Sequence, residues 1–67
     1  MLSIKLNGKQ EELKDNSTVL FAVETKNISQ KGIAIAVNQQ IITKSNWATT
    51  FLKNNDEILI IKATQGG

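Results

Sequence analysis

The run Ile58-Leu59-Ile60-Ile61, near the end of the 67-residue chain, is apolar at four successive positions. Neighbouring residues of a β-strand point to opposite faces of the sheet, so a strand built from this run carries apolar side chains on both faces. Such a run is typical of a central strand or of a strand with a functional outer face. We expect Ile58 and Ile60 to face the core, and Leu59 and Ile61 to face outward.

The first part of the chain predicts a β-hairpin. Leu2, Ile4 and Leu6 alternate with polar residues, which indicates a strand over residues 1–6. The dipeptide Asn7-Gly8 follows at once and is a strong hairpin signal, because both residues tolerate positive φ. A second strand is therefore expected over residues 9–13.

One helix is predicted over residues 18–26. A polar cluster before it contains good N-cap residues, with Thr18 as its last member. An apolar face at helical spacing then follows, formed by Val19, Leu20, Ala22 and Val23. A helix this short depends on packing against a sheet, since its own propensity is insufficient.

The segment before the final strand predicts two more strands. Residues 33–37 form one of them, with large β-branched residues on one face and only alanines on the other. Residues 38–39 form a turn, and 40–43 a short strand. We expect Trp47, Phe51 and Leu52 to cover one end of the core.

The order β-β-α-β-β-β predicts an α+β fold with a mixed four- to five-stranded sheet packed on one helix. A chain of 67 residues buries roughly 60% of its unfolded surface, which is enough for one small core. We therefore expect a single domain over residues 1–67, with a flexible tail from about residue 63.

The composition excludes most enzyme classes. The chain has no His and no Cys, so the usual proton shuttle, thiolate nucleophile and soft-metal ligands are missing. Eight lysines and six acidic residues are interspersed without a basic run, which argues against nucleic-acid binding. Because apolar and polar residues alternate over residues 1–6, we expect this segment to be neither a signal peptide nor a membrane span. We expect a cytoplasmic protein that holds no metal, does not bind a membrane and acts through a protein partner.

The chain ends in Gly66-Gly67, directly after the last predicted strand. Glycine has no Cβ, so an extended tail of this kind is slim enough to enter a narrow channel. Its terminal carboxylate is ionised at neutral pH and can attack the activated phosphate of ATP in a partner's active site. The resulting acyl-adenylate would accept a transferable group, which is covalent carrier chemistry. A frayed end without function is the alternative.

One set of residues and motifs, spread over the whole chain, carries a resemblance to a known family: Asn7-Gly8, Thr18-Val19, the block of residues 34–42, Trp47, the turn ending in Asp56, the strand of residues 58–61, and Gly66-Gly67. In these positions the sequence resembles the ThiS family of sulfur carrier proteins, which has a ubiquitin-like β-grasp fold. One departure is Lys44, where the family often has arginine; lysine keeps the charge but lacks the bidentate fork.

The resemblance implies a sulfur carrier for the thiazole ring of thiamine, which is a protein cosubstrate and not an enzyme. In such proteins a ThiF-type adenylyltransferase uses ATP and magnesium to adenylate the terminal glycine. A sulfur relay from a cysteine desulfurase then forms a thiocarboxylate, and a ThiG-type thiazole synthase takes the sulfur. Gly67 would carry the sulfur, with Gly66 and Gln65 in the tail. The carrier itself would bind no cofactor.

Partner docking requires an exposed apolar surface, and we expect it where the outward side of the last strand meets the alanine face. The predicted docking residues are Leu59, Ile61, Ala34 and Ala36, with Lys44 as a rim contact. Three other functions remain open. The chain could be the small subunit of molybdopterin synthase, a ubiquitin-like modifier that forms isopeptide bonds, or an inert binding domain with an incidental Gly-Gly end.

Overall fold

The structure, a computed structural model, describes residues 1–62. The predicted tail, with Gln65, Gly66 and Gly67, lies outside the described residues. The elements are β1 (Leu2–Leu6), β2 (Lys9–Leu13), α1 (Val19–Thr25), β3 (Ile33–Val37), β4 (Gln40–Ile42), a 3-10 helix (Lys44–Thr49) and β5 (Glu57–Lys62).

All five strands form one mixed sheet in the order β2-β1-β5-β3-β4. The last strand of residues 1–62, β5, therefore lies at the centre, which is one of the two alternatives that its four apolar residues indicate. It runs parallel to β1 and antiparallel to β3. The two remaining pairs, β1 with β2 and β3 with β4, are the antiparallel hairpins that the turn residues predict.

Helix α1 covers one face of this sheet and closes the core. Its Val19, Ala22 and Val23 are buried against strand residues such as Ile35 and Ile58. Full burial of an aliphatic side chain of this size contributes about 1.5–3 kcal/mol, so packing rather than intrinsic propensity holds this seven-residue helix. Neither helix of the described part of the chain is long and apolar enough to cross a membrane.

Local contacts fix both ends of α1. The Thr18 hydroxyl accepts a hydrogen bond from the Phe21 backbone N–H at 3.1 Å, which confirms Thr18 as the N-cap. At the other end Lys26 forms the C-cap, and its ammonium group pairs with the carboxylate of Glu11 on β2. The helix is therefore tied to the edge of the sheet at its C-terminal end.

The prediction that Phe51 packs in the core is wrong. The exposed fraction of Phe51 is 60%, whereas Trp47 and Leu52 are buried as predicted. Phe51 forms an isolated antiparallel bridge with Thr18, and the Leu52 backbone N–H donates to the carbonyl of Ser17 at 2.8 Å. Adjacent residues of an extended chain point to opposite sides, so the burial of Leu52 forces Phe51 outward.

Candidate functional site

Apolar residues from three adjacent strands meet on the sheet face opposite α1. Ala36 on β3 lies directly across from Leu59 on β5 and from Ile41 on β4. Ala34 lies across from Ile61 in the same way. The structure thus brings together the four predicted sheet residues and adds Ile41. We call these five residues the apolar outer face.

The large side chains of the apolar outer face are accessible to a partner. The exposed fractions are 62% for Ile41, 49% for Leu59 and 46% for Ile61. Ala36 faces the same side but is only 6% exposed, because it is the middle residue of a row between Ile41 and Leu59. Ala36 therefore forms the floor of the surface, and the larger side chains beside it form its exposed part.

Ile41 is the functional candidate that the sequence prediction missed. The signal was present, because strand residues alternate between faces and Ile42 points toward the core. Its neighbour Ile41 must then project outward beside the alanine face. The same reasoning that assigned Leu59 and Ile61 to the outer face applies to this three-residue strand.

Lys44 does not lie on the apolar outer face. It begins the 3-10 helix, which contacts α1, and its ammonium nitrogen is 6.0 Å from the centre of the Trp47 ring. The ring itself is buried, and its indole N–H donates to the carbonyl of Ile42 at 2.9 Å. The side chain of Lys44 is exposed and available to a partner, on a different part of the surface.

Polar residues border the apolar outer face on the side of the first hairpin. Lys5 on β1 and Glu57 on β5 are direct cross-strand neighbours. Beside them lies an open depression of about 230 Å³, whose lining includes Asn7, Gly8 and Leu59. Among residues 1–62 no three His, Cys, Asp or Glu side chains are grouped in a way that could hold a metal ion.

The start of β5 is held by hydrogen bonds between two turns. The Asp56 carboxylate accepts from the Lys53 backbone N–H at 2.7 Å and from the side-chain amide of Asn38 at 2.9 Å. The side-chain oxygen of Asn38 accepts in turn from the Glu57 backbone N–H at 3.0 Å. These bonds join the β3–β4 turn to the first residue of β5 and fix the strand that leads to the tail.

Comparison with known proteins places this geometry in a family. Residues 4–67 match the model of the ThiS family. The chain belongs to the ThiS family. It is 30% identical over 66 residues to the sulfur carrier protein ThiS of Escherichia coli K12, covering 98% of this chain and 100% of that one. The family predicted from the sequence is thereby confirmed.

Two solved structures of the thiamine biosynthesis protein ThiS from Geobacter metallireducens share the fold of this ThiS-family chain. The crystal structure gives a TM-score of 0.85 at 16% identity and covers 98% of this chain and all of that one. The solution structure gives 0.77 at 16% identity, with 98% and 88% covered. They confirm the predicted ubiquitin-like β-grasp fold.

Proposed function

We propose that this protein is a sulfur carrier for the thiazole ring of thiamine, with the sulfur held as a thiocarboxylate on Gly67. Membership of the ThiS family and the 30% identity with the Escherichia coli sulfur carrier support this function. The observation that carries the proposal is the Gly66-Gly67 end, which follows β5 after three residues in a chain of this family. The protein acts as a cosubstrate in the cytoplasm and is not an enzyme.

The proposed chemistry takes place on the terminal carboxylate and needs no catalytic side chain from this protein. A carboxylate oxygen attacks the α-phosphorus of ATP in a ThiF-type adenylyltransferase, and pyrophosphate leaves. The outer sulfur of a persulfide on a cysteine desulfurase relay then attacks the carbonyl carbon, and AMP leaves with one of the original carboxylate oxygens. A thiol next cleaves the S–S bond of the resulting acyl disulfide, which releases the thiocarboxylate and leaves the thiol and the relay cysteine joined as a disulfide. ATP and magnesium belong to the activating enzyme, and the carrier holds neither.

We propose that the apolar outer face is the surface on which the partners dock. Leu59 and Ile61 lie on β5, the strand that continues into the tail, so a partner seated there is next to the base of the tail. Five residues follow Lys62, and an extended chain of that length spans at most about 18 Å. The partner's active site must therefore lie within that distance of the end of β5.

The slim tail is the second part of this recognition. Gly66 and Gly67 have no side chains, and Gln65 precedes them, so the reactive carboxylate can enter an active site that a larger residue would block. Lys44 supplies a separate contact with acidic groups of the partner, outside the apolar outer face. The ThiG-type thiazole synthase would dock on the same face and accept the sulfur from the same tail.

Reconstitution with isotopically labelled cysteine tests the proposal. The full chain is incubated with ATP, magnesium, a cysteine desulfurase, a ThiF-type adenylyltransferase and a ThiG-type thiazole synthase with its small-molecule substrates. We expect the labelled sulfur to appear in the thiazole product. Transfer of the label to molybdopterin by a molybdopterin synthase large subunit, with none to thiazole, would assign the chain to the other pathway. Isopeptide-linked conjugates would assign it to the protein modifiers.

A further inference from the structure

Strand β1 ends before its parallel neighbour β5 does. Their pairing reaches Leu6 opposite Ile58, whereas β5 continues to Lys62. The next residue, Asn7, still donates its backbone N–H to the Ile58 carbonyl at 2.9 Å. In a continued parallel ladder the backbone carbonyl of Asn7 would then accept from the N–H of Ile60.

The side chain of Asn7 supplies that missing acceptor. Its Oδ1 accepts the hydrogen bond from the Ile60 backbone N–H at 2.8 Å, although the two residues are 53 positions apart in the sequence. The backbone of Asn7 has meanwhile turned into the hairpin, with φ of 50° at Asn7 and 84° at Gly8. Asparagine suits both tasks, because it tolerates positive φ and carries a short side-chain carbonyl.

Asn7 therefore extends the hydrogen bonding between the first hairpin and β5 into the C-terminal half of β5. From Leu59 to Lys62 the ladder with β3 holds β5 on one side. On the other side the bond from Ile60 to Asn7 continues the contact with the first hairpin. Strand ends held on one side open more readily than strands held on both. Leu59 and Ile61, which flank Ile60, are the β5 residues of the apolar outer face.

We propose that Asn7 is a positioning residue for activation of the carboxyl terminus, acting through its hydrogen bond to Ile60. The bond fixes the end of β5 relative to a partner docked on the apolar outer face. It thereby sets the point from which the carboxyl terminus must reach the partner's active site. This role rests on the proposed function, because it concerns the same adenylation of Gly67.

Two substitutions at Asn7 separate the hydrogen bond from the turn. Asn7→Gly keeps the positive φ and removes the side-chain acceptor, whereas Asn7→Asp keeps an acceptor oxygen at the same position. We expect the Ile60 amide to exchange its hydrogen about fivefold faster in Asn7→Gly, the factor that one ordinary hydrogen bond provides. Asn7→Asp should keep the slow exchange of the unchanged chain.

The activity readout is pyrophosphate release by a ThiF-type adenylyltransferase, measured against carrier concentration. For Asn7→Gly we expect kcat to fall by roughly 5- to 100-fold with little change in KM, since the tail is misdirected while the docking residues remain. Asn7→Asp should restore kcat. Ile4→Val, which removes one buried methyl group from β1 and leaves the Asn7 bond intact, controls for a general loss of stability.

Three results would overturn the positioning role. They are an unchanged kcat in Asn7→Gly, an equal fall in Ile4→Val, and a rise in KM alone, which would make Asn7 a docking contact instead. Failure of the enzyme to adenylate the unchanged chain would refute the proposed function and this role with it. Normal activation of Asn7→Gly would refute the role only.

Discussion

Replacement of both Leu59 and Ile61 by alanine should weaken binding to the adenylating partner about 10- to 100-fold and leave the chain folded. Each residue has about half of its surface exposed, at 49% and 46%. Full burial of such a side chain contributes about 1.5–3 kcal/mol, so the exposed half of each can still contribute about 0.8–1.5 kcal/mol in a complex. The two together account for about 1.5–3 kcal/mol, which corresponds to that loss of affinity.

Isothermal titration calorimetry of the full chain against the adenylyltransferase measures this loss, and fluorescence of the single buried Trp47 checks the fold. Phe51→Ala is the matched control, because Phe51 is a 60% exposed apolar residue beside the start of α1 and not on the apolar outer face. A double variant that binds within twofold of the unchanged chain would refute the docking surface. So would an equal loss of affinity in Phe51→Ala.

Three further predictions concern the contacts that hold the fold in place, and chemical denaturation measures each. Thr18→Ala removes the acceptor of the Phe21 N–H and should lower the free energy of unfolding by about 1 kcal/mol, most of which Thr18→Ser should restore. Asp56→Ala removes the charged acceptor of two hydrogen bonds and should cost about 2–3 kcal/mol; a variant as stable as the parent would show that water replaces both bonds. Trp47→Phe leaves the Ile42 carbonyl without its indole donor and leaves space in the core, at a cost of about 1–3 kcal/mol, and an unchanged unfolding midpoint would contradict this packing role.

Local patterns in the sequence were sufficient to predict the architecture. Four successive apolar residues indicate either a central strand or a strand with a functional outer face, and β5 lies at the centre of the sheet with an exposed apolar outer side. Asn7-Gly8 predicts the first hairpin and Thr18 the start of the helix, since turn and cap geometry depend on adjacent residues. The family resemblance then joins these elements into one fold.

The contacts that sequence reasoning missed or misplaced depend on residues far apart in the chain. The exposure of Phe51 follows from its pairing with Thr18, which no local pattern contains. The bond from Ile60 to Asn7 and the bonds between Asn38 and Asp56 arise only when distant turns meet at the central strand. Ile41 is different, because strict alternation along β4 would have predicted its position on the outer face.

Intact-mass spectrometry of the carrier tests the central claim most directly. The full chain and a chain lacking Gly67 are each incubated with ATP, magnesium, the adenylyltransferase and the sulfur relay. The full chain should gain the mass difference between one sulfur and one oxygen, with the change located at the terminal glycine by fragmentation, and the shortened chain should stay unmodified. An unchanged mass in the full chain, or the same gain in the shortened chain, would contradict a thiocarboxylate on Gly67.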